Sequence, residues 1–555
     1  MPANRKKIRP TKSRPWLIAL GLIALTFPVC FPLFTSQLPS GHDTWSYHPR
    51  LVEFHENIRQ GILLPRWAPD LEIGAGQPLF LFSPPLPYYA AEFWHLLGFD
   101  SVVSFNLLAI TIVIASACSM FLFVDYQFGR DAAWLATAAY LYAPYFHIDI
   151  FVRHALAEFT SFPFYPLALY GFSRHSRERD LRFLAAGAAA WSAVILSHSP
   201  SALLFSPVLL TFVSFLAWKN HSFRLFGQMA GGILIGIALA AFIWAPMLEE
   251  SKFVYIERSQ QGKTHYVDHF VFPQQLWSGI WGYGLSVPGP DDQLSFSLGL
   301  GHVPLIAAAA WLIYRDKKRT LGSWCMFLLS GLVVLVFMMI PASQFLWDHL
   351  PLLQQVQFPW RLLGDICLLS ALMAGLYGAS LKDRHYSGLW FWAGIAFLIV
   401  PNLSHIGPQE YYSVVSSEWT PAAMAQRGVE TTVMAEFEPR WVKERMEYTP
   451  DKARIVSGQG TVSAVERFPT AWKLETSLDR DALVEAALLY FPGWTVSVDG
   501  METQVEIADS GRMRFRVPAG RHLVAIDFKR TRVRFVAEVL SLLTFVALIA
   551  GLLLT

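Results

Sequence analysis

Asp43, in Gly41-His42-Asp43-Thr44-Trp45, and Glu158, in Arg153-His154-Ala155-Leu156-Ala157-Glu158, are the carboxylates whose surroundings best suit proton transfer. Cationic and polar partners recur in similar contexts: Arg66 in Pro65-Arg66-Trp67, Arg153 with His154, His198 in Ser197-His198-Ser199-Pro200, and Arg361 in Gln357-Phe358-Pro359-Trp360-Arg361. A carboxylate base for an attacking hydroxyl or amine, with cations beside a departing phosphate, is what displacement of a group from a phosphate requires. Arginine suits the phosphate because its planar fork bonds two oxygens at once. Each residue also has a plainer reading. Asp43 can cap the helix that follows it. Arg66 and Arg361 can be interfacial side chains that snorkel to water. His198 can be a satisfied packing residue, and Arg153 with Glu158 can be a bundle-stabilising pair. No Gly-rich nucleotide cradle is evident, which argues against direct use of a cytoplasmic nucleotide.

The elements that must hold these residues are apolar. Of 555 residues 54% are hydrophobic and 15% charged, with 20 Trp and 42 Phe, far from the quarter of charged residues usual in soluble chains. The first spanning run is Trp16 to Phe34, behind Arg5, Lys6, Lys7, Arg9, Lys12 and Arg14, which place the N-terminus in the cytoplasm and Asp43 on the opposite face. No Ala-x-Ala-like cleavage site follows, so the run reads as a retained span. Further apolar runs lie at 102–124, 131–148, 159–172, 183–197, 201–218, 225–248, 297–314, 320–340, 361–381, 386–401 and 535–554, about twelve in all. Basic clusters at 174–182, 219–224, 315–319 and 382–384 alternate correctly if 79–98, broken by Pro84, Pro85 and Pro87, does not cross. Arg153, His154 and Glu158 then share the outer face with Asp43. Lys529, Arg530, Arg532 and Arg534 sit outside in this scheme, against the positive-inside tendency.

Residues 1–401 therefore read as a transmembrane domain with a first outer loop at 35–101, 402–532 as an outer domain, and 533–555 as a last span. Short alternating runs in the second half of the outer domain (472–476, 494–498, 512–517 and 523–528), separated by Asp499-Gly500, Ser510-Gly511 and Pro518-Ala519-Gly520, predict an antiparallel β-sandwich. Within the first loop, Leu51, Phe54 and Ile58 predict a short amphipathic helix ending at Gly61. Cys30, Cys118, Cys325 and Cys367 fall within spans and imply neither a disulfide framework nor a metal cluster. A net charge of +2 offers nothing to a nucleic acid.

The motifs already quoted, together with Pro84-Pro85-Leu86-Pro87-Tyr88-Tyr89, Tyr490-Phe491-Pro492-Gly493-Trp494 and Val517-Pro518-Ala519-Gly520-Arg521-His522, resemble the bacterial YfhO-like proteins and those labelled as membrane proteins related to 6-pyruvoyl-tetrahydropterin synthase. These belong with the GT-C glycosyltransferase superfamily. The resemblance implies a polytopic helical fold of GT-C type with a C-terminal outer β domain. It also implies a polyprenyl-phosphate sugar as donor and a periplasmic protein, lipid or cell-envelope glycan as acceptor, at the bacterial inner membrane. Asp43 matches the first-loop catalytic acid and Glu158 the second-loop acid; His42, Arg66, Arg153, His154, His198 and Arg361 are the candidate substrate contacts. His42-Asp43 stands where several relatives carry two acids, so a metal-independent, inverting hexosyl transfer is the preferred expectation, with a divalent metal possible. The pterin-synthase label would need a metal site built from several histidines, and none has ligand spacing.

Two other classes fit the same charges. In a transporter or lipid exporter they would line a pathway, a reading that Pro28, Pro246 and Pro304 keep open although no broken helix is obvious near mid-span. In a non-catalytic envelope scaffold the β domain would bind a partner.

Overall fold

The computed structural model describes residues 15–553 apart from 318, 383, 384 and 445. The N-terminal basic cluster, and part of the one at 382–384, lie outside the described residues. Among the described residues, seven helices are long and apolar enough to cross a membrane: Pro15–Leu33, Ser101–Phe128, Ser199–Lys219, Thr320–Met339, Pro359–Ser380, Ser387–His405 and Arg532–Leu553. A bent pair, Phe223–Leu239 with Ala241–Phe253, makes an eighth if it is one span, its halves meeting at 66°. The protein is thus a multi-pass helical membrane protein, with fewer full-length spans than the twelve apolar runs.

Local chemistry explains the difference. The run at 131–148 stops as a helix at Leu141, because Ala143 precedes Pro144 and is pushed out of the helical region (ψ 136°). The run at 159–172 breaks at Phe162-Pro163 into Leu156–Ser161 and Phe164–Glu178. Those at 183–197 and 297–314 yield helices of only 17 and 14 residues. The bent pair is a broken helix that the sequence did not make obvious. Its freed backbone groups are satisfied by neighbours: Arg66 Nη2 donates to the Phe242 carbonyl, Ser541 Oγ donates to that of Ala238 and accepts from the Phe242 N–H.

Nearly every residue of Leu363–Ser380 is buried, and this helix packs against Arg130–Leu141, His302–Arg315 and Arg319–Met339 at the centre of the bundle. Arg532–Leu553 and Ser387–Ile399 lie at the rim with apolar side chains exposed, as lipid-facing helices do.

Outside the bundle, β1 (Leu38–Pro39) pairs with β2 (Tyr411–Tyr412), tying the approach to Asp43 to the chain beyond residue 405. The C-terminal β domain is antiparallel throughout. Its strands are β3 (Ala453–Phe468), β4 (Ala471–Leu489), β5 (Trp494–Val498), β6 (Met501–Thr503), β7 (Val505–Ile507), β8 (Arg512–Val517) and β9 (Gly520–Phe528). The expected layers are parts of one curled sheet: 19-residue β4 pairs with β3 along one edge, and along the other with β9 over 471–478 and then β8 over 482–489. Pro518-Ala519 carries the chain between those halves, with the Ala519 N–H bonded to Asp481 Oδ1 at 2.9 Å. Asp499-Gly500, both at positive φ, form the β5–β6 hairpin turn.

The β domain is not a free appendage. Trp67 of the first loop, fully buried, packs with Trp494, Phe528 and Phe491, at ring-centroid distances of 5.4, 5.6 and 6.5 Å. Gly76 must be glycine here: at φ +81° a Cβ would meet Trp67 Nε1 at 2.2 Å. The Leu489 N–H bonds to the Ala75 carbonyl, and Arg467 pairs with Asp70 at 2.9 Å.

Candidate active site

The loops that carry Asp43 and Arg153 meet through their main chains. His42 N–H donates to the Val152 carbonyl (3.1 Å) and Asp43 N–H to that of Arg153 (2.8 Å). Gly41 makes the approach possible, since a Cβ there would lie 2.5 Å from His154 Cβ and 2.9 Å from the Arg153 backbone. Thr44 Oγ1 completes the junction, donating to the Pro39 carbonyl (2.7 Å), accepting from the Gly41 N–H (2.9 Å) and lying 3.0 Å from His154 Nδ1. The helix Thr44–Arg59 follows. It is not a surface amphipathic helix: Tyr47, His48, Glu53 and Asn57 are buried along with Leu51 and Phe54, and Ala157 N–H donates to Tyr47 Oη.

Asp43 holds the N-cap position of this helix, yet its carboxylate makes no capping bond. Nor does it make a side-chain hydrogen bond or ion pair among the described residues. It is half-buried, and its charge acts on both Arg153 and Arg361. The plain capping role is therefore not what its oxygens do.

Glu158 is the opposite case. It is buried and fully engaged: Arg153 Nη1 lies 2.7 Å from Oε2, Arg361 Nε 3.5 Å from Oε2, and Tyr145 Oη donates to Oε1 at 2.6 Å. Arg153 Nη1 also bonds Asp149 Oδ1 (2.5 Å) and Tyr145 Oη (3.0 Å). Burial works to raise the Glu158 pKa, but Arg153 above all overcomes it and holds the carboxyl down to about 2. Burial, then the Glu158 charge, pushes Asp149 well above the usual carboxylate range. The Arg153 guanidinium lies 4.7 Å from the centroid of the Trp360 ring, which stacks on Phe358 and Phe296. Arg361 sits over Phe358 at 4.9 Å and bonds the Val356 carbonyl at 2.6 Å.

Of the other candidates, His42 Nε2 lies 3.1 Å from the Tyr283 carbonyl, and burial lowers its pKa. His154, at φ +52°, is buried and its pKa lowered to about 4. His198 caps Ser199–Lys219 by accepting from the Ser201 N–H, with its charge environment set by Glu158, Arg361 and Arg153. Arg66 is elsewhere: it bonds Phe242 at the helix break and Glu538 of the last helix, and does not join this cluster. Among the described residues no group of His, Cys, Asp or Glu is arranged to hold a metal ion.

Beside the cluster opens a cleft of about 540 Å³ lined by Gln275, Ser278, Tyr283, Asp292, Gln293, Ser295, Phe296 and Gln409. Phe296 links it to Trp360 and Arg153, and Tyr283 links it to His42. The sequence reading passed over its walls, residues 278–296, because they form no apolar run and no regular helix or strand. It also passed over Tyr145, whose only signal was the helix break at Ala143-Pro144.

No family model matches the chain. Over 240 residues it is 21% identical to an uncharacterised protein of Lactococcus lactis subsp. cremoris, a stretch covering 42% of this chain and 39% of that one. It is similar to the solved structure of arabinofuranosyltransferase AftD from Mycobacteria, with TM-score 0.47 and 15% identity, over 73% of this chain and 28% of that one. It is also similar to ArnT from Cupriavidus metallidurans, with TM-score 0.42 and 12% identity, over 75% and 78%. The chain spans well under half the length of the Lactococcus relative and of AftD.

Proposed function

We propose that this protein is a membrane glycosyltransferase that moves a sugar from a lipid-linked phosphate to an acceptor on the outer face of the bacterial inner membrane, its N-terminus lying in the cytoplasm. One observation carries the reading: a carboxylate with no side-chain partner among the described residues, Asp43, is fixed by main-chain bonds beside a cationic cluster, Arg153 and Arg361, at the edge of a polar cleft. Asp43 takes the proton of the acceptor hydroxyl or amine as that atom attacks the anomeric carbon; the carbon–oxygen bond to phosphate breaks and the phosphate leaves with the electron pair. Attack opposite the leaving group inverts the anomeric centre. Arg361, whose neighbour Arg153 already carries most of the Glu158 charge, meets the leaving phosphate. Amides and hydroxyls of the cleft over an aromatic wall suit a hexose. Glu158 then serves as the counter-charge that keeps the guanidiniums in place. The resemblance of the outer-loop motifs to GT-C proteins supports the polyprenyl-phosphate donor and an envelope protein, lipid or glycan acceptor. The chemistry as drawn needs no metal.

The test is sugar transfer in membranes from radiolabelled polyprenyl-phosphate hexoses, comparing wild type with Asp43→Asn at equal amounts of folded protein. Loss of about 10²–10⁴-fold in the variant is expected. Equal transfer by both removes Asp43 from the mechanism, and none by wild type with any donor removes the reading.

A further inference from the structure

We infer that a second pocket, remote from the cleft, binds the phosphate headgroup of an anionic membrane lipid. It has a volume of about 400 Å³ and lies between the first loop, the end of β9 and the start of the last helix. Arg66, Lys529 and Arg530 supply positive charge, and Leu63, Leu64 and Phe528 supply an apolar lining. It shares no lining residue with the cleft.

The charge there is not consumed internally. Arg534 is spoken for: its guanidinium makes a buried ion pair with Glu250 at 2.8 Å and bonds the Pro492 carbonyl at 2.9 Å. Glu538 is the one carboxylate among the pocket's lining residues, 3.4 Å from Arg66 and 3.1 Å from Arg530, while Glu250 beyond the lining is taken up by Arg534. Lys529 makes no ion pair among the described residues. Arg66 is only 6% exposed, and its Nε and Nη1 have no hydrogen-bond partner, although a buried guanidinium nitrogen without one is costly. Three cations against one carboxylate, with a buried guanidinium half satisfied, is an arrangement completed by an anion.

The surroundings point to a lipid rather than a free ion. Leu63 is 75% exposed, and the last helix continues from the pocket with Phe535, Val536, Leu540 and Leu543 exposed, a track for an acyl chain below a bound phosphate. The same inference explains Lys529 and Arg530 before the last span, where the positive-inside tendency of the sequence-based scheme disfavours them: cations lining a headgroup pocket have a ligand to hold.

Full-length protein, purified in detergent and offered phosphatidylglycerol or phosphatidylcholine, is examined by native mass spectrometry for retained lipid and by thermal unfolding. Arg66 supports the helix break and its removal can unfold the chain, so the variants are the exposed residues: Lys529→Ala, Lys529→Ala with Arg530→Ala, and Arg532→Ala, which borders the pocket without lining it. Wild type should retain phosphatidylglycerol over phosphatidylcholine, lose about fivefold in affinity for each lining cation removed, and be unaffected by Arg532→Ala. Equal retention of the two lipids, or an equal loss in Arg532→Ala, overturns the inference. Protection by inorganic phosphate as strong as by phosphatidylglycerol assigns the pocket to a free anion and overturns the lipid assignment.

Discussion

The amide of Asp43 donates to the carbonyl oxygen of Arg153 at 2.8 Å, so the unpaired carboxylate and the paired guanidinium are spaced by backbone rather than by each other's charges. A change of side chain at either position leaves that spacing in place.

Gly41→Ala attacks the spacing itself. The added methyl meets His154 Cβ at 2.5 Å and the backbone of Arg153, neither of which is a flexible side-chain tip. The loops must part, at roughly 1–3 kcal/mol of stability. A shift of about 1 Å is enough for a 10²-fold fall in transfer. Melting and sugar transfer measured together check this; wild-type transfer would show that the junction does not place Asp43.

Glu158→Gln leaves Arg361 facing Arg153 without the charge between them. Breaking a buried pair costs about 3–5 kcal/mol, softened here because Asp149 still pairs with Arg153. In Arg361→Gln the pairing is already gone, so adding Glu158→Gln should cost less than it does alone, a coupling readable from a double-mutant unfolding cycle. Strict additivity would mean that the two do not communicate.

Trp67→Ala empties the joint between the first loop and the β domain. The expected loss is about 3–5 kcal/mol, with faster proteolysis in the segment joining residues 405 and 453. Unchanged cleavage would place the joint elsewhere.

Glu72, in the loop that meets the β domain, gives a pH signature. Burial, then the Glu438 and Glu430 charges, raises its pKa to about 7, above the unfolded value near 4.5. Its contribution is full below the unfolded value and is lost as pH rises through about 7. Melting temperature should therefore fall between those limits in wild type, and Glu72→Gln should flatten that part of the curve. Parallel curves would rule the group out.

The sequence carried the polytopic class and the C-terminal β domain because both rest on periodicity, apolar runs and turn residues such as Asp499-Gly500. The grouping of Arg153, Glu158 and Arg361 with the region of Asp43 was also legible, since loop sidedness constrains it. Helix length was less so: apolar content does not register that Pro144 and Pro163 end helices inside apolar runs. That Arg66 lies apart from the cluster was not legible, because a cation at a membrane interface looks the same in sequence whether it borders a cleft or a helix break. The cleft walls at 278–296 were invisible, since irregular segments held by aromatic contacts such as Phe296 on Trp360 leave no period to read.

From Gly129 the helix Ser101–Phe128 is about 42 Å long, while Arg130–Leu141, leaving the same turn, returns only about 18 Å. The rest of the return is made by the short pieces Pro144–His147, Ile148–Val152 and Leu156–Ser161, which bring Arg153 level with Asp43, whose own helix reaches Ser101 at the far end of the long one through His48. The charged cluster is thus carried by a stack of short turns instead of one continuous helix, and turns leave carbonyl groups free to bond across to another loop, as those of Val152 and Arg153 do to His42 and Asp43.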